Sequence, residues 1–197
     1  IYSYQNGQFV KKQNSVHIIL PSKKDTLISM DALSGWWYNM KVEDLDNDGR
    51  MDFVMGNRGL NSLIKGTINE PCTIYAKDFD KNGRLDPVMC YYVGGKNYIY
   101  HTRDEMIKQV AAMRGRFQSY KDFASVTFEE SFTRQELSDA LVIKSECFES
   151  SYLENKGNGK FERKALPLEC QFAPIFGMLT GDYNNDGDPD ILLTGQD

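Results

Sequence analysis

The chain has 197 residues, 41% hydrophobic and 26% charged, so it is long enough to bury a sizeable core and is not composed like a disordered segment. No apolar run approaches the ~20 residues of a membrane-spanning helix, so no helical membrane span is expected. The formal net charge is −5, with no basic stripe and no recognisable reading motif, so nucleic acid is not an expected partner.

Aromatic residues make up 12% of the chain, including 11 Tyr and 11 Phe, which suits pleated sheet surfaces. Strand-like sequence begins at once with IYSYQNGQF. The chain lacks an initial Met or a leader and stops soon after its last acidic loop, so it reads as a piece of something longer.

Further on, Tyr38, Met40 and Val42 alternate before DLDNDGRMD at residues 44–52, and FVM follows from Phe53. Cys72, Ile74 and Ala76 precede DFDKNGRLD at residues 78–86 in the same way, with PVM following from Pro87. Phe176, Met178 and Thr180 precede DYNNDGDPD at residues 182–190, with ILL following from Ile191. Period two before each loop and a short apolar run after it predict strand, loop, strand.

Between the second and third loops the pattern changes. Thr102-Arg103-Asp104-Glu105 is a capping box, and Met106, Val110, Met113 and Phe117 then recur at helical spacing. Thr133-Arg134-Gln135-Glu136 repeats the signal before Leu137 and Leu141. Two or three short helices are expected, with Tyr120, Phe123 and Phe128 as further anchors. The expected division is residues 1–101 with two loops, a helical insertion at 102–141, and residues 142–197 with the third loop, all in one structural unit. The insertion is either a structural elaboration or a recognition element, because insertions in repeats map to one face.

The loops carry the chemistry. Each offers oxygen-bearing side chains at positions one, three, five and nine, with Gly at six. Ca²⁺ takes about six to eight oxygens, and alternate carboxylates or amides can wrap around it, with a backbone carbonyl at position seven. The predicted ligands are Asp44, Asp46, Asp48, Arg50 and Asp52; Asp78, Asp80, Asn82, Arg84 and Asp86; and Asp182, Asn184, Asp186, Asp188 and Asp190. Arg50, Arg84 and Asp188 would serve through their backbone carbonyls. Gly49, Gly83 and Gly187 sit where the chain must turn sharply.

The first half of each loop reads like an EF-hand loop. The second half does not, since position twelve is Met55, Met89 or Leu193 where an EF-hand has Glu. With no helix on either flank, a helix-opening sensor is not expected. Clusters of Asp, Asn and Gly also form ordinary turns. Three copies in one phase, inside the same apolar frame, favour a metal.

The pattern D-x-[DN]-x-[DN]-G-x-x-D between short strands resembles the Ca²⁺ loop of FG-GAP and VCBS repeats, the units of integrin α-subunit β-propellers and of many bacterial surface proteins. GNRGLNS at residues 56–62 and YLENKGNGKF at 152–161 look like the connecting and outer-hairpin elements of such repeats, and IYSYQNGQF like a shortened copy of the latter. The resemblance covers most of the chain outside roughly residues 102–141. It implies a mainly β fold made of β-propeller blades, in a partial or incomplete ring, with up to three structural Ca²⁺ ions. It also implies an extracellular, cell-surface or periplasmic module that binds a protein or glycan ligand.

The repeat spacing is irregular. The first Asp of the second loop lies 34 residues after that of the first, and the third lies 104 residues further on. A blade takes about 40–50 residues, so the first pair reads as a compressed blade or as neighbouring hairpins. A closed propeller takes about four or more blades.

Ten of the 28 acidic residues occupy loop positions one, three, five and nine, and three bound Ca²⁺ ions would bring the formal charge to about +1. The acidity is thus a local metal signature. Cys72 and Cys90 flank the second loop, and Cys147 and Cys170 flank the turn at Asn158-Gly159. Each pair reads either as a bridge across a hairpin, which an oxidising compartment would favour, or as two buried thiols. Zinc is not expected: there is no C-x-x-C, and His17 and His101 are the only histidines. The aromatic groups Trp36-Trp37-Tyr38 and Tyr91, Tyr92, Tyr98 and Tyr100 are expected mainly in packing, with sugar stacking as the alternative.

No nucleophile elbow, zincin motif, Walker loop or dinucleotide fingerprint is present, so the chain is not read as an enzyme. Two other readings stand beside a calcium-stabilised binding or adhesion module. A carbohydrate-active enzyme or accessory domain would need two close carboxylates that are not metal ligands. A structural spacer would bind no ligand at all.

Overall fold

The protein, seen here as a computed structural model, is described over residues 2–11, 17–19, 27–29 and 33–196. In chain order the strands are β1 (Tyr2–Gln5), β2 (Gln8–Lys11), β3 (His17–Ile19), β4 (Leu27–Ser29), β5 (Asn39–Glu43), β6 (Asp52–Gly56), β7 (Cys72–Lys77), β8 (Asp86–Val93) and β9 (Lys96–Ile99). Five short helices follow: α1 (Arg103–Gln109), α2 (Met113–Arg116), α3 (Tyr120–Ser125), α4 (Phe128–Ser131) and α5 (Arg134–Leu137). The chain then returns to strand in β10 (Leu141–Ser145), β11 (Ser151–Gly157), β12 (Lys160–Ala165), β13 (Ile175–Gly181) and β14 (Asp190–Gly195). The fold is mainly β, and among the described residues no sheet closes on itself.

Two compact units divide the chain, Ile1–Ser62 with Cys147–Asp197, and Leu63–Glu146. The first contains the hairpin β1-β2, a six-stranded sheet in the order β4-β3-β12-β11-β6-β5, and the pair β13-β14. All its described pairings between named strands are antiparallel except β12 with β3. The hairpins β1-β2 and β11-β12 turn through Asn6-Gly7 and Asn158-Gly159, all four residues at positive φ. This is the two-residue turn whose twist matches the flanking strands, and it gives the two look-alike segments of the sequence the same local form.

Leu153 and Phe161 centre an apolar cluster in this unit, with Leu33, Phe53 and Met55 packed against it. Beside it lies a polar knot. Asn57, Ser150 and Gln171 are all buried. The Asn57 N–H donates to Ser150 Oγ at 3.0 Å, its Nδ2 donates to the Cys147 carbonyl at 2.9 Å, and the Ser150 N–H donates to Gln171 Oε1 at 2.9 Å. Gly59 has φ of 83°, and a Cβ there would lie 2.5 Å from the Gln171 carbonyl oxygen. The GNRGLNS segment is therefore a connector anchored by buried Gly56, Asn57 and Gly59, with Leu60 and Asn61 exposed beyond them.

The second unit has a four-stranded antiparallel sheet in the order β10-β7-β8-β9, with the five helices inserted between β9 and β10. Val88 and Cys90 face a core completed by Met106, Val110, Met113, Phe117, Phe128 and Phe132. Tyr75 stacks on Phe128 at a centroid distance of 4.3 Å. The expected two or three helices are five because caps recur quickly. Capping boxes at Thr102/Glu105, Ser119/Asp122, Thr127/Glu130 and Thr133/Glu136 each start a new segment. Leu141, read as a helical anchor, instead begins β10 and is exposed.

All four cysteines are free. Across β7-β8 the residue opposite Cys90 is Thr73, which leaves Cys72 offset. Cys147 precedes β11, and Cys170 lies in a 3-10 turn over Leu168–Gln171, so neither sits in the β11-β12 hairpin. Burial pushes the Cys72 thiol up to about 11 and moves Cys90 and Cys147 in the same direction, so these are inert core groups.

Candidate metal centres

The first acidic loop joins β5 to β6, the second β7 to β8 and the third β13 to β14, each across an antiparallel pair. The first and third loops lie in the first unit and the second loop in the other. All three adopt the same conformation. Position four has positive φ in each, at 58° for Asn47, 61° for Lys81 and 61° for Asn185, and the Gly at six follows at 84°, 86° and 91°. A left-handed pair in mid-loop wraps the backbone back on itself, and Gly adopts that conformation at no steric cost.

Side chains hold that wrap identically. The carboxylate at position one accepts from the N–H groups of positions five and six: Asp44 from Asp48 and Gly49, Asp78 from Asn82 and Gly83, Asp182 from Asp186 and Gly187. Position three accepts a second bond from the N–H of position five, at 3.3 Å to Asp46, 3.2 Å to Asp80 and 2.9 Å to Asn184. Position five accepts from the N–H of position seven: Asp48 from Arg50, Asn82 from Arg84 and Asp186 from Asp188. Position nine reaches back to the N–H of position two, Asp52 to Leu45, Asp86 to Phe79 and Asp190 to Tyr183.

These bonds draw the oxygens of each loop inward. Carboxylate oxygens of Asp44, Asp46 and Asp48 lie within 4.8 Å of one another, as do those of Asp78, Asp80 and Asp86. With Ca–O distances of about 2.3–2.6 Å, oxygens on opposite sides of one ion stand about 5 Å apart, so both sets fit a single cation. The third loop has Asn184 in place of an acid at position three. The charges are also in conflict. Desolvation, then Asp48, Asp52 and Glu154, raise the Asp46 carboxyl above its ordinary range; burial, then Asp80 and Asp78, raise that of Asp86. A bound cation would relieve both conflicts.

The structure adds residues that sequence reasoning missed. Asp52 is 1% exposed. Besides Leu45, it accepts from the Tyr152 hydroxyl at 2.7 Å and from the Asn155 N–H at 2.7 Å. Position nine of the first loop is thereby tied to β11, which Asp86 and Asp190 do not share. Arg50 donates through Nε to the Asn155 carbonyl at 2.7 Å, and its guanidinium pairs with Asp48. Nothing local in the sequence marks Tyr152 or Asn155, about a hundred residues away. Met55, Met89 and Leu193, at position twelve, lie in strands and lend no oxygen.

No family model, curated protein or solved structure matches the chain.

Proposed function

We propose that the three loops bind Ca²⁺ and that the chain is a calcium-stabilised β module. The observation that carries this reading is the repetition of one five-bond side-chain clasp in three loops, with carboxylate oxygens gathered at ion-coordinating separation in two of them. Ordinary acidic turns have no reason to converge on one conformation and one ligand order. Each carboxylate has about four lone-pair sites, so the backbone bonds leave capacity for a cation.

The module reading extends to blades of a β-propeller in a partial or incomplete ring. A four-stranded antiparallel sheet such as β10-β7-β8-β9 is the unit that radial repetition uses. Extracellular Ca²⁺ sites work at about 10⁻⁴–10⁻³ M, so these loops suit an extracellular, cell-surface or periplasmic location. The module would serve ligand binding or adhesion, with a protein or glycan as partner. Tyr38 and Phe176, both exposed and packed edge to face at 4.9 Å, present the aromatic surface such partners stack on. No helix among the described residues is long and apolar enough to cross a membrane.

Calorimetric titration of the chelator-stripped chain with CaCl₂ tests the reading. Saturable binding is expected, with the Asp44→Ala, Asp48→Ala double variant losing one site. A titration with no binding heat and no retained Ca²⁺ on equilibrium dialysis would refute it.

A further inference from the structure

The first acidic loop departs from the second at position nine. In the second loop the gathered carboxylates include Asp86, whereas the matching set in the first loop is Asp44, Asp46 and Asp48, without Asp52. Asp52 is drawn instead to β11. Its Oδ1 accepts from the Asn155 N–H at 2.7 Å, and its Oδ2 accepts from the Tyr152 hydroxyl at 2.7 Å and the Leu45 N–H at 3.2 Å.

A second ligand of the same loop is engaged from the same place. The Asp48 carboxylate pairs with the Arg50 guanidinium, and Arg50 Nε donates to the Asn155 carbonyl at 2.7 Å. Asn155 Nδ2 donates to the Met51 carbonyl at 3.0 Å. The N–H, carbonyl and side chain of this one residue therefore all hold the loop.

These bonds compete with a cation. Oxygens that share one Ca²⁺ stand within about 5 Å of each other, so completing the ligand set requires Asp52 to close on Asp44, Asp46 and Asp48. Each carboxylate oxygen has about two lone-pair sites. Tyr152 and Leu45 fill those of Asp52 Oδ2, and Asn155 takes one of those on Oδ1. Closure on the ion is thus opposed by the hold of β11.

We propose that the first loop is a calcium switch for the β11-β12 hairpin, in which the ion and β11 compete for Asp52 and filling the site loosens the joint at Asn155. The switch rests on the calcium reading of the loop. By linkage, the order of the joint and the calcium affinity of the site oppose each other. The joint is placed to pass the change on. Asn155 stands at the register shift of β11 against β12, and its Oδ1 accepts from the Gly157 N–H at 2.9 Å. The turn at Asn158-Gly159 follows, where the Gly159 carbonyl accepts from the His17 N–H of β3 at 2.9 Å.

The test is an NMR titration of the ¹⁵N-labelled full chain with CaCl₂ from chelator. The Gly49 and Gly83 amides, each bonded to the position-one carboxylate of its loop, report the first and second sites separately. Amide hydrogen exchange at Asn155 is expected to be faster in calcium than in chelator, against the general slowing that a stabilising ion brings. Tyr152→Phe frees Asp52 from one β11 bond. It should tighten the first site by about fivefold, the scale of one hydrogen bond to a charged group, and leave the Gly83 midpoint unchanged, although it weakens the calcium-free chain. A purely structural Tyr152 would not combine higher affinity with lower stability. If both glycines saturate while Asn155 exchange slows, or while Tyr152→Phe binds no more tightly at the first site, the switch is overturned and the calcium reading stands. If neither glycine responds, both fall. The exchange measurement decides the matter even if Tyr152→Phe does not fold.

Discussion

Asn47, at position four of the first acidic loop, donates through Nδ2 to Asp188 Oδ1 of the third loop at 2.8 Å, joining two sites 141 residues apart in sequence. The strands beneath are joined as well. The Thr180 hydroxyl donates to Glu43 at 2.8 Å, and Asn39 Nδ2 donates to the Phe176 carbonyl at 2.7 Å. If both loops bind Ca²⁺, ordering one orders the other. Calcium binding by the first and third loops should be cooperative, and that of the second loop independent. Asn47→Gly removes the contact while tolerating the positive φ of that position. It should reduce the cooperativity, a change of about fivefold or more in the affinity of one site when the other is filled in the unmodified chain, with the Thr180–Glu43 and Asn39–Phe176 bonds carrying what remains. Three independent sites in the unmodified chain, measured by calorimetry, would contradict this coupling.

Asp52 holds the first loop to β11 as well as closing it. Asp52→Ala would leave the Tyr152 hydroxyl and the N–H groups of Leu45 and Asn155 without their shared acceptor. Hydrogen bonds to a charged acceptor contribute about 1.5–3 kcal/mol each, and a lost buried partner adds its own penalty. The variant should lose about 3 kcal/mol or more of stability in chelator, where no metal effect enters. Tyr152→Phe, which removes one of the three bonds, should lose about half as much. Urea unfolding followed by Trp36 and Trp37 fluorescence measures both. Equal and small losses would mean that the clasp contributes little.

The three matching loops between strands were legible because each bond of the five-bond clasp joins residues of the same nine-residue loop. The helix starts were legible for the same reason, where Glu stands three residues after Thr102 and Thr133. Ser119/Asp122 and Thr127/Glu130 use the same chemistry, but the helices they start, Tyr120–Ser125 and Phe128–Ser131, are too short for a repeating apolar face to mark each as separate. The long-range pairings had no such signal. β10 pairs with β7 across the entire helical insertion, and β12 pairs in parallel with β3. Alternation within a strand fixes which residues share a face and says nothing of which strand lies beside it. The Asn57, Ser150 and Gln171 knot is likewise invisible to pattern, because polar residues read as surface until a fold buries them.

Acid should weaken the second unit through Glu136. Hydrogen bonds from Arg116, followed by those of Thr133 in the α5 capping box, hold its carboxyl at about 2, below the ordinary 4.5. A depressed carboxylate stabilises the fold above its unfolded pKa, and that contribution is lost as pH falls through the folded value. The loss should therefore run from about pH 4.5 down to about pH 2. The pair is partly exposed, with side chains 33% and 38% accessible, so the effect is modest and screened by salt. Arg116→Met should flatten this part of the stability profile. An unchanged profile from chemical denaturation at several pH values would mean that Glu136 contributes nothing to acid sensitivity.

If the three loops hold Ca²⁺, thermal unfolding must respond to it. The chain is melted in excess chelator and then across a CaCl₂ titration, with MgCl₂ as the control. A ligand at about a hundred times its Kd adds about 2.7 kcal/mol per site, which for a chain of this size raises Tm by roughly 5–10 °C. A saturable rise of at least that size, produced by Ca²⁺ and not matched by Mg²⁺, is the predicted result. A melting temperature indifferent to Ca²⁺ would mean that the three loops are acidic turns closed by their own backbone, and the calcium module with its extracellular setting would fall with them.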